Sequence, residues 1–190
     1  MHAELVVGID VGGTRKGFHF ASARPNESEV TDLRHFASVE SLATFVRAMN
    51  ASVLAAIDCP PRCQLKGSET RLSERQLHQR GFRVQWTRRQ NLEPAEWMQN
   101  GQRLWEALAE LPNVELIETF PTVATSSLES SELHLPLRLL AGFANQRDWK
   151  DFVDAAICVD VGIRYLRGEA QCVGIDASTG ECDELGRIWF

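Results

Sequence analysis

Leu5-Val6-Val7-Gly8-Ile9-Asp10-Val11-Gly12-Gly13-Thr14 is the stretch on which the reading of this chain turns. Leu5 to Asp10 is short, apolar and rich in β-branched residues, which predicts a buried strand. It ends in a carboxylate, and Gly12-Gly13-Thr14 predicts a tight turn directly after it. Lys16 to Ala23 alternates well enough for a second, antiparallel strand. Pro25 and Asn26 break it, and Val30 to Ala37 reads as a third strand. Ser38 is placed as a helix N-cap, and Val39, Leu42, Ala43, Val46 and Met49 form the apolar stripe of that helix. Val53 to Asp58 is a fourth strand, stopped by Pro60-Pro61 and again ending in a carboxylate.

Three antiparallel strands, a helix and a fourth strand are the opening of a ribonuclease-H-like fold. The expected architecture is α/β, with a mixed five-stranded sheet in the order 3-2-1-4-5 flanked by helices. A right-handed crossover puts strand four parallel beside strand one. Asp10 and Asp58 are then expected to sit side by side at the carboxyl ends of neighbouring parallel strands, where open α/β sheets bind ligands.

An insertion follows, from about 62 to 112. Glu69 to Arg80 reads as a helix closed by Gly81, and Phe82 to Trp86 as a short strand. Pro94 suits a helix start, with Trp97, Met98, Gly101, Leu104, Trp105, Leu108 and Leu111 as the apolar face. That face is expected to be core, and it would also serve a homodimer. Val114 to Glu118 is the fifth strand. Pro136 opens a helix bearing Leu135, Leu139, Leu140 and Phe143, and a last helix runs from about Trp149 to Arg167. A terminal hairpin pairs Ala170–Ile175 with Glu184–Phe190. No linker or internal repeat divides residues 1–190, so one domain is expected.

Asp10, Asp58 and Glu118 each stand where a strand gives way to a loop, and Asp154 sits on a largely apolar helix where an unpaired charge is costly. Converging carboxylates of this kind hold hard divalent cations such as Mg²⁺ through oxygen. Each has a plainer reading: Asp10 as a hairpin-turn residue, Asp58 as a strand-terminating residue, and the acidic start of the last helix as a partner for the helix dipole. The last of these fits Asp151 better than Asp154. Gly12, Gly13 and Thr14 are placed to bring backbone amides to a phosphate.

The 190 residues are 44% hydrophobic and 24% charged, the balance of a globular domain with its own core. No apolar run approaches the ~20 residues of a membrane span, and no basic region with a following apolar stretch marks a secretory signal. A cytoplasmic location with five free cysteines is expected. Cys59-x3-Cys63 and Cys172-x9-Cys182 are poor zinc spacings. There is no nucleophile elbow or P-loop, and the five histidines pair with no Ser or Cys motif. A net charge of −6 excludes broad coating of nucleic acid. A local basic surface remains open: Arg62, Lys66, Arg71, Arg75, Arg80, Arg83, Arg88 and Arg89 fall together, against only Glu69 and Glu74.

Gly8-Ile9-Asp10, Ala56-Ile57-Asp58-Cys59-Pro60, Arg71 with Glu74-Arg75, Ile117-Glu118-Thr119-Phe120-Pro121, Asp154-Ala155-Ala156-Ile157-Cys158 and the ending Gly186-Arg187-Ile188-Trp189-Phe190 occur in one order along nearly the whole chain. In this set the sequence resembles the ribonuclease-H-fold nucleases catalogued as domain of unknown function family 429. The resemblance implies two-metal phosphodiester hydrolysis, with Asp10 bridging two Mg²⁺ or Mn²⁺ ions and Asp58, Glu118 and Asp154 completing their shells. Lys16, Arg71 and Arg75 are the candidate phosphate-binding cations, and nucleic acid or a nucleotide is the expected substrate.

Two rival readings differ in class. Gly8 to Thr14 looks like the first phosphate motif of the actin, hexokinase and Hsp70 superfamily, which shares this core. Val159-Asp160-Val161-Gly162 imitates that superfamily's second phosphate turn, but its setting reads as helix. The other reading is a catalytically silent nucleic-acid or protein binding module on the same fold.

Overall fold

A computed structural model describes residues 3–67, 70–127 and 148–190. The expected helix after Pro136 lies outside these residues. The first strand, β1 (Leu5–Val11), turns back through Gly12–Gly17 into β2 (Phe18–Ala23), and β3 (Asp32–Phe36) pairs with β2. The turn is closed by Gly12 N–H donating to the Gly17 carbonyl at 2.8 Å. Gly17 has φ +67°, and a Cβ there would lie 2.4 Å from the Phe36 carbonyl oxygen, so only glycine fits.

Helix α1 (Val39–Arg47) starts where the Ser38 hydroxyl accepts the Ser41 N–H, and it buries Leu42, Ala43 and Val46. It crosses over to β4 (Val53–Asp58), parallel to β1 with Asp10 opposite Asp58. The insertion carries β5 (Gln64–Leu65), α2 (Leu72–Gln79), β6 (Arg88–Arg89) and α3 (Glu96–Ala109). Residues 82–86, expected to form a strand, do not; the short strand forms at Arg88–Arg89, paired with β5 in a separate two-stranded sheet. α3 buries Met98, Gly101, Leu104 and Leu108. Trp105 donates its indole N–H to the Cys59 carbonyl at 3.0 Å, so the tryptophan face belongs to this chain's own core.

β7 (Val114–Thr119) lies parallel beside β4 and leads into α4 (Pro121–Ser127). Helix α5 (Trp149–Arg167) ends at Gly168 in the left-handed conformation. The C-terminal hairpin, β8 (Cys172–Val173) with β9 (Ile188–Trp189), joins the main sheet through β9. Among the described residues the mixed sheet therefore runs β3-β2-β1-β4-β7-β9-β8, the expected order of the first five strands with the terminal hairpin added at its edge.

Strand alternation divides the core into two layers. Val6, Leu54, Ala56 and Ile117 face α5, packing on Phe152, Ala155, Cys158 and Val159. Val7, Ile9, Ala55 and Ile57 face α1 and α3, packing on Leu42, Val46, Leu104 and Leu108. Gly8 sets how close α5 comes: a Cβ there would stand 2.0 Å from the Ala155 carbonyl oxygen and 2.7 Å from the Val159 nitrogen. This contact seats the first turns of α5 over the carboxyl ends of β1 and β4. Among the described residues, no helix is long and apolar enough to cross a membrane.

Candidate functional site

The pairing register builds a row across four strands. His35 of β3 lies opposite His19 of β2, His19 opposite Asp10 of β1, and Asp10 opposite Asp58 of β4. Asp10 and Asp58 share the alternation of Val6 and Leu54, so both side chains belong to the α5 face. From that helix Asp151 and Asp154 approach, one turn apart. Asp10 is buried and Asp58 half-buried, lining the adjoining cleft.

Lys16, from the turn, reaches into this group. Its Nζ lies 3.1 Å from Asp10 Oδ2 and 2.7 Å from Asp151 Oδ1. Burial pulls its pKa down, but the hydrogen bond to Asp151 and the charge of Asp10 outweigh that and hold it raised. His19 is fully buried, with Nδ1 3.5 Å from Asp10 Oδ2 and Nε2 4.0 Å from Asp151 Oδ2. Neither ring nitrogen has a hydrogen-bond partner among the described residues, and Asp10 Oδ2 has the Lys16 ion pair. Among the described residues, Asp10, His19 and Asp151 are the group whose ligand atoms lie within 4.8 Å of one another. Asp154 is paired with Lys150 at 3.1 Å.

The carboxylates feel one another. Burial, followed by the charges of Asp10, Asp154 and Glu118, pushes the Asp58 carboxyl well above its usual range, with Lys16 opposing. Burial raises Asp154 as well, against the pull of Lys150. A cation placed among them would relieve both effects.

Glu118 takes a different direction. It pairs with Ile57, one position short of Asp58, and shares the alternation of Leu116, which faces α3. Its carboxylate is gripped by the fork of Arg71, with Nη1–Oε1 at 2.6 Å and a second bond from Nη2 to Oε2. Arg71, buried at the start of α2, also donates to Asp183 at 3.1 Å and to the Gly186 carbonyl. Its guanidinium is thus engaged within the fold. Burial raises the Glu118 carboxyl, with Arg71 acting against it. Glu74 accepts the Thr87 N–H at 3.0 Å and the Thr87 hydroxyl, and burial pushes its pKa up to about 6.

A cleft of about 650 Å³ opens beside this end of the sheet. Asp58, Glu74 and Glu118 line it, with Gly12, Gly13 and Lys16 on one side and Arg83, Gln85 and Trp97 around them. The amides of Gly12, Lys16 and Gly17 are bonded within the turn, and the Thr14 hydroxyl donates to Glu96. Arg75 is exposed and donates to Thr70; it does not line the cleft.

The structure thus brings together Asp10, Asp58, Asp154 and Lys16, sets Glu118 at the cleft wall on Arg71, and leaves Arg75 outside. The sequence reading missed His19 and assigned Asp151 to the helix dipole. The signal for His19 was present: a hairpin closed at Gly12 and Gly17 aligns residues 10 and 19. Compared with models of protein families and with curated proteins, the chain matches none.

Proposed function

We propose that this chain is a metal-dependent phosphodiesterase of ribonuclease-H-like fold, a nuclease acting on nucleic acid or a nucleotide. The observation that carries this reading is the in-register pair Asp10 and Asp58, at the carboxyl ends of adjacent parallel strands beside an open cleft. The ordered motifs in which the sequence resembles the domain of unknown function family 429 support it.

The residues fit divalent cations. Asp10 has a buried oxygen facing the exchangeable Lys16 ammonium, Asp58 is crowded by like charge, and the donors are the hard oxygens that Mg²⁺ and Mn²⁺ take. Asp10, Asp58 and Asp154 would hold the ions. Glu118 would join them through lone pairs that the Arg71 fork leaves unused. Two ions so held would supply an activated water and would stabilise the leaving oxygen. Lys16 and Arg83, the cations lining the cleft, bind substrate phosphate. Trp97 supplies an apolar wall, and the cleft volume is that of an ordinary small-ligand site.

Calorimetric titration of Mn²⁺ into wild type, Asp10→Asn and Asp58→Asn tests the reading, followed by DNA, RNA and nucleotide substrates with Mn²⁺ present. Wild type is expected to bind metal and cleave, Asp10→Asn to lose both properties, and Asp58→Asn to lose cleavage and at least one of the bound ions. Absence of metal binding, with and without oligonucleotide, sinks the proposal. The sugar-kinase-like reading loses support because Val159 to Gly162 lies inside α5, with Asp160 paired to Arg164 at 2.9 Å. One observation favours the silent binding module: Lys16 and Arg71 already neutralise Asp10, Asp151 and Glu118 from within.

A further inference from the structure

His19 is the group that the cleft chemistry leaves unused. A buried imidazole with neither nitrogen hydrogen-bonded is costly. The ring stands edge-on to Phe152 at 4.8 Å, and His35 lies 5.0 Å away on its other strand neighbour. Its separations from Asp10 and Asp151, 3.5 and 4.0 Å, are too long for good hydrogen bonds. They belong to different ring nitrogens, and one ion would use only one of these; with one ligand atom taken from each residue, Asp10, His19 and Asp151 lie within 4.8 Å of one another, close to the about 4.4 Å that two donors bound at about 2.0–2.2 Å can span. A cation already occupies this position: the Lys16 ammonium touches both carboxylates.

We propose that Asp10, His19 and Asp151 form a binding site for one first-row transition-metal ion, which takes the place of the Lys16 ammonium. An imidazole nitrogen added to two carboxylates selects such an ion over Mg²⁺, which prefers oxygen and water. Lys16 has somewhere to go, since its side chain is 41% exposed and it also lines the cleft. The ion therefore exchanges a lysine held among carboxylates for one available to a substrate phosphate. The site shares Asp10 with the proposed nuclease centre but does not use Asp58, so the two readings can fail separately.

The test is a titration of Co²⁺ into the full chain, followed by its visible d–d absorption and by calorimetry, in wild type and four variants. Wild type is expected to bind one Co²⁺ at this site, and Lys16→Met to bind it roughly two- to five-fold more tightly, since the competing ion pair is partly exposed. His19→Gln and Asp151→Asn are expected to lose it. Asp58→Asn is expected to keep it, whether or not that variant abolishes cleavage. Because His19 is buried and its substitution also tests folding, wild type loaded with Mn²⁺ supplies an independent reading by pulsed electron paramagnetic resonance. Coupling to an imidazole nitrogen is expected, and it should vanish in Asp151→Asn, whose side chain is at the partly exposed start of α5. No Co²⁺ bound by wild type or Lys16→Met, or no nitrogen coupling, overturns the proposal and leaves the cluster a buried ion-pair network.

Discussion

Glu74 shows how a buried side chain reports on its surroundings. Burial lifts its pKa to about 6, in spite of the Thr87 hydrogen bonds and the nearby charge of Arg71. An unfolded glutamate titrates near 4.3. Between about pH 4.3 and 6 the folded chain therefore holds a proton that the unfolded chain has released. The resulting stabilisation is fully present below the unfolded pKa and is lost as pH rises through 6; over that window it amounts to about 2 kcal/mol. Urea unfolding of wild type and Glu74→Gln across pH 4 to 7 checks this. The difference between the two curves is expected to slope by that amount, and a flat difference would refute it. Residues of this kind were only half legible in the sequence. Asp10 and Asp58 announced themselves because an acid at the end of an apolar run has few local explanations. The Arg71 contacts with Glu118 and Asp183 span 47 and 112 positions of chain, and no local pattern encodes them. His19 was missed for a simpler reason: a histidine in an alternating strand reads as an ordinary strand residue until its cross-strand partner is counted.

The elements were more legible than their registers. The β1–β2 hairpin, α1, β4, α3 and α5 follow from periodicity and caps, because each buries one continuous face. The side of the sheet on which Glu118 falls did not follow, since it depends on whether β7 aligns position 118 or 119 with Asp58. A shift of one residue exchanges the two faces. Residues 82–86 misled the reading because their apolar side chains line the cleft or pack on α2 and the C-terminal strands, a tertiary use that resembles a strand pattern. The pairing of α5 with β1 depends on Gly8, and it gives a prediction at this scale. In Gly8→Ala the new methyl meets the backbone of α5 at Ala155 and Val159, which cannot rotate aside. The helix must lift, at a cost of about 3 kcal/mol. Equilibrium unfolding is expected to show that loss, and metal titration of the folded variant a weakened site, because Asp151 and Asp154 move with α5. A variant as stable as wild type would mean that α5 packs less closely than described.

Across the whole molecule, charge decides what kind of partner the cleft can hold. The chain carries a net charge of −6, and part of the basic run of the insertion is engaged within the fold. Arg71 is buried on Glu118 and Asp183, Arg62 donates to the Glu184 carbonyl, and Arg75 donates to Thr70. The cations that line the cleft are Lys16 and Arg83. A nucleic acid bound there would have about two phosphates neutralised by protein, whereas a protein that coats a duplex neutralises many. Each phosphate neutralised on a single strand contributes about −0.7 to the slope of log affinity against log salt. For a short single-stranded oligonucleotide, with a divalent cation held constant, a slope of about −1.4 is expected, falling to about −0.7 in Arg83→Gln. Fluorescence anisotropy across a salt series measures both. A slope of about −4 or steeper would mean that the exposed arginines of the insertion act together as a binding face after all. A shallow slope would instead place most of the affinity in contacts between the substrate and the proposed metal-binding end of the sheet. Recognition would then be confined to a few nucleotides around the reacting phosphate, which is what an acidic protein with two cations along the cleft can achieve.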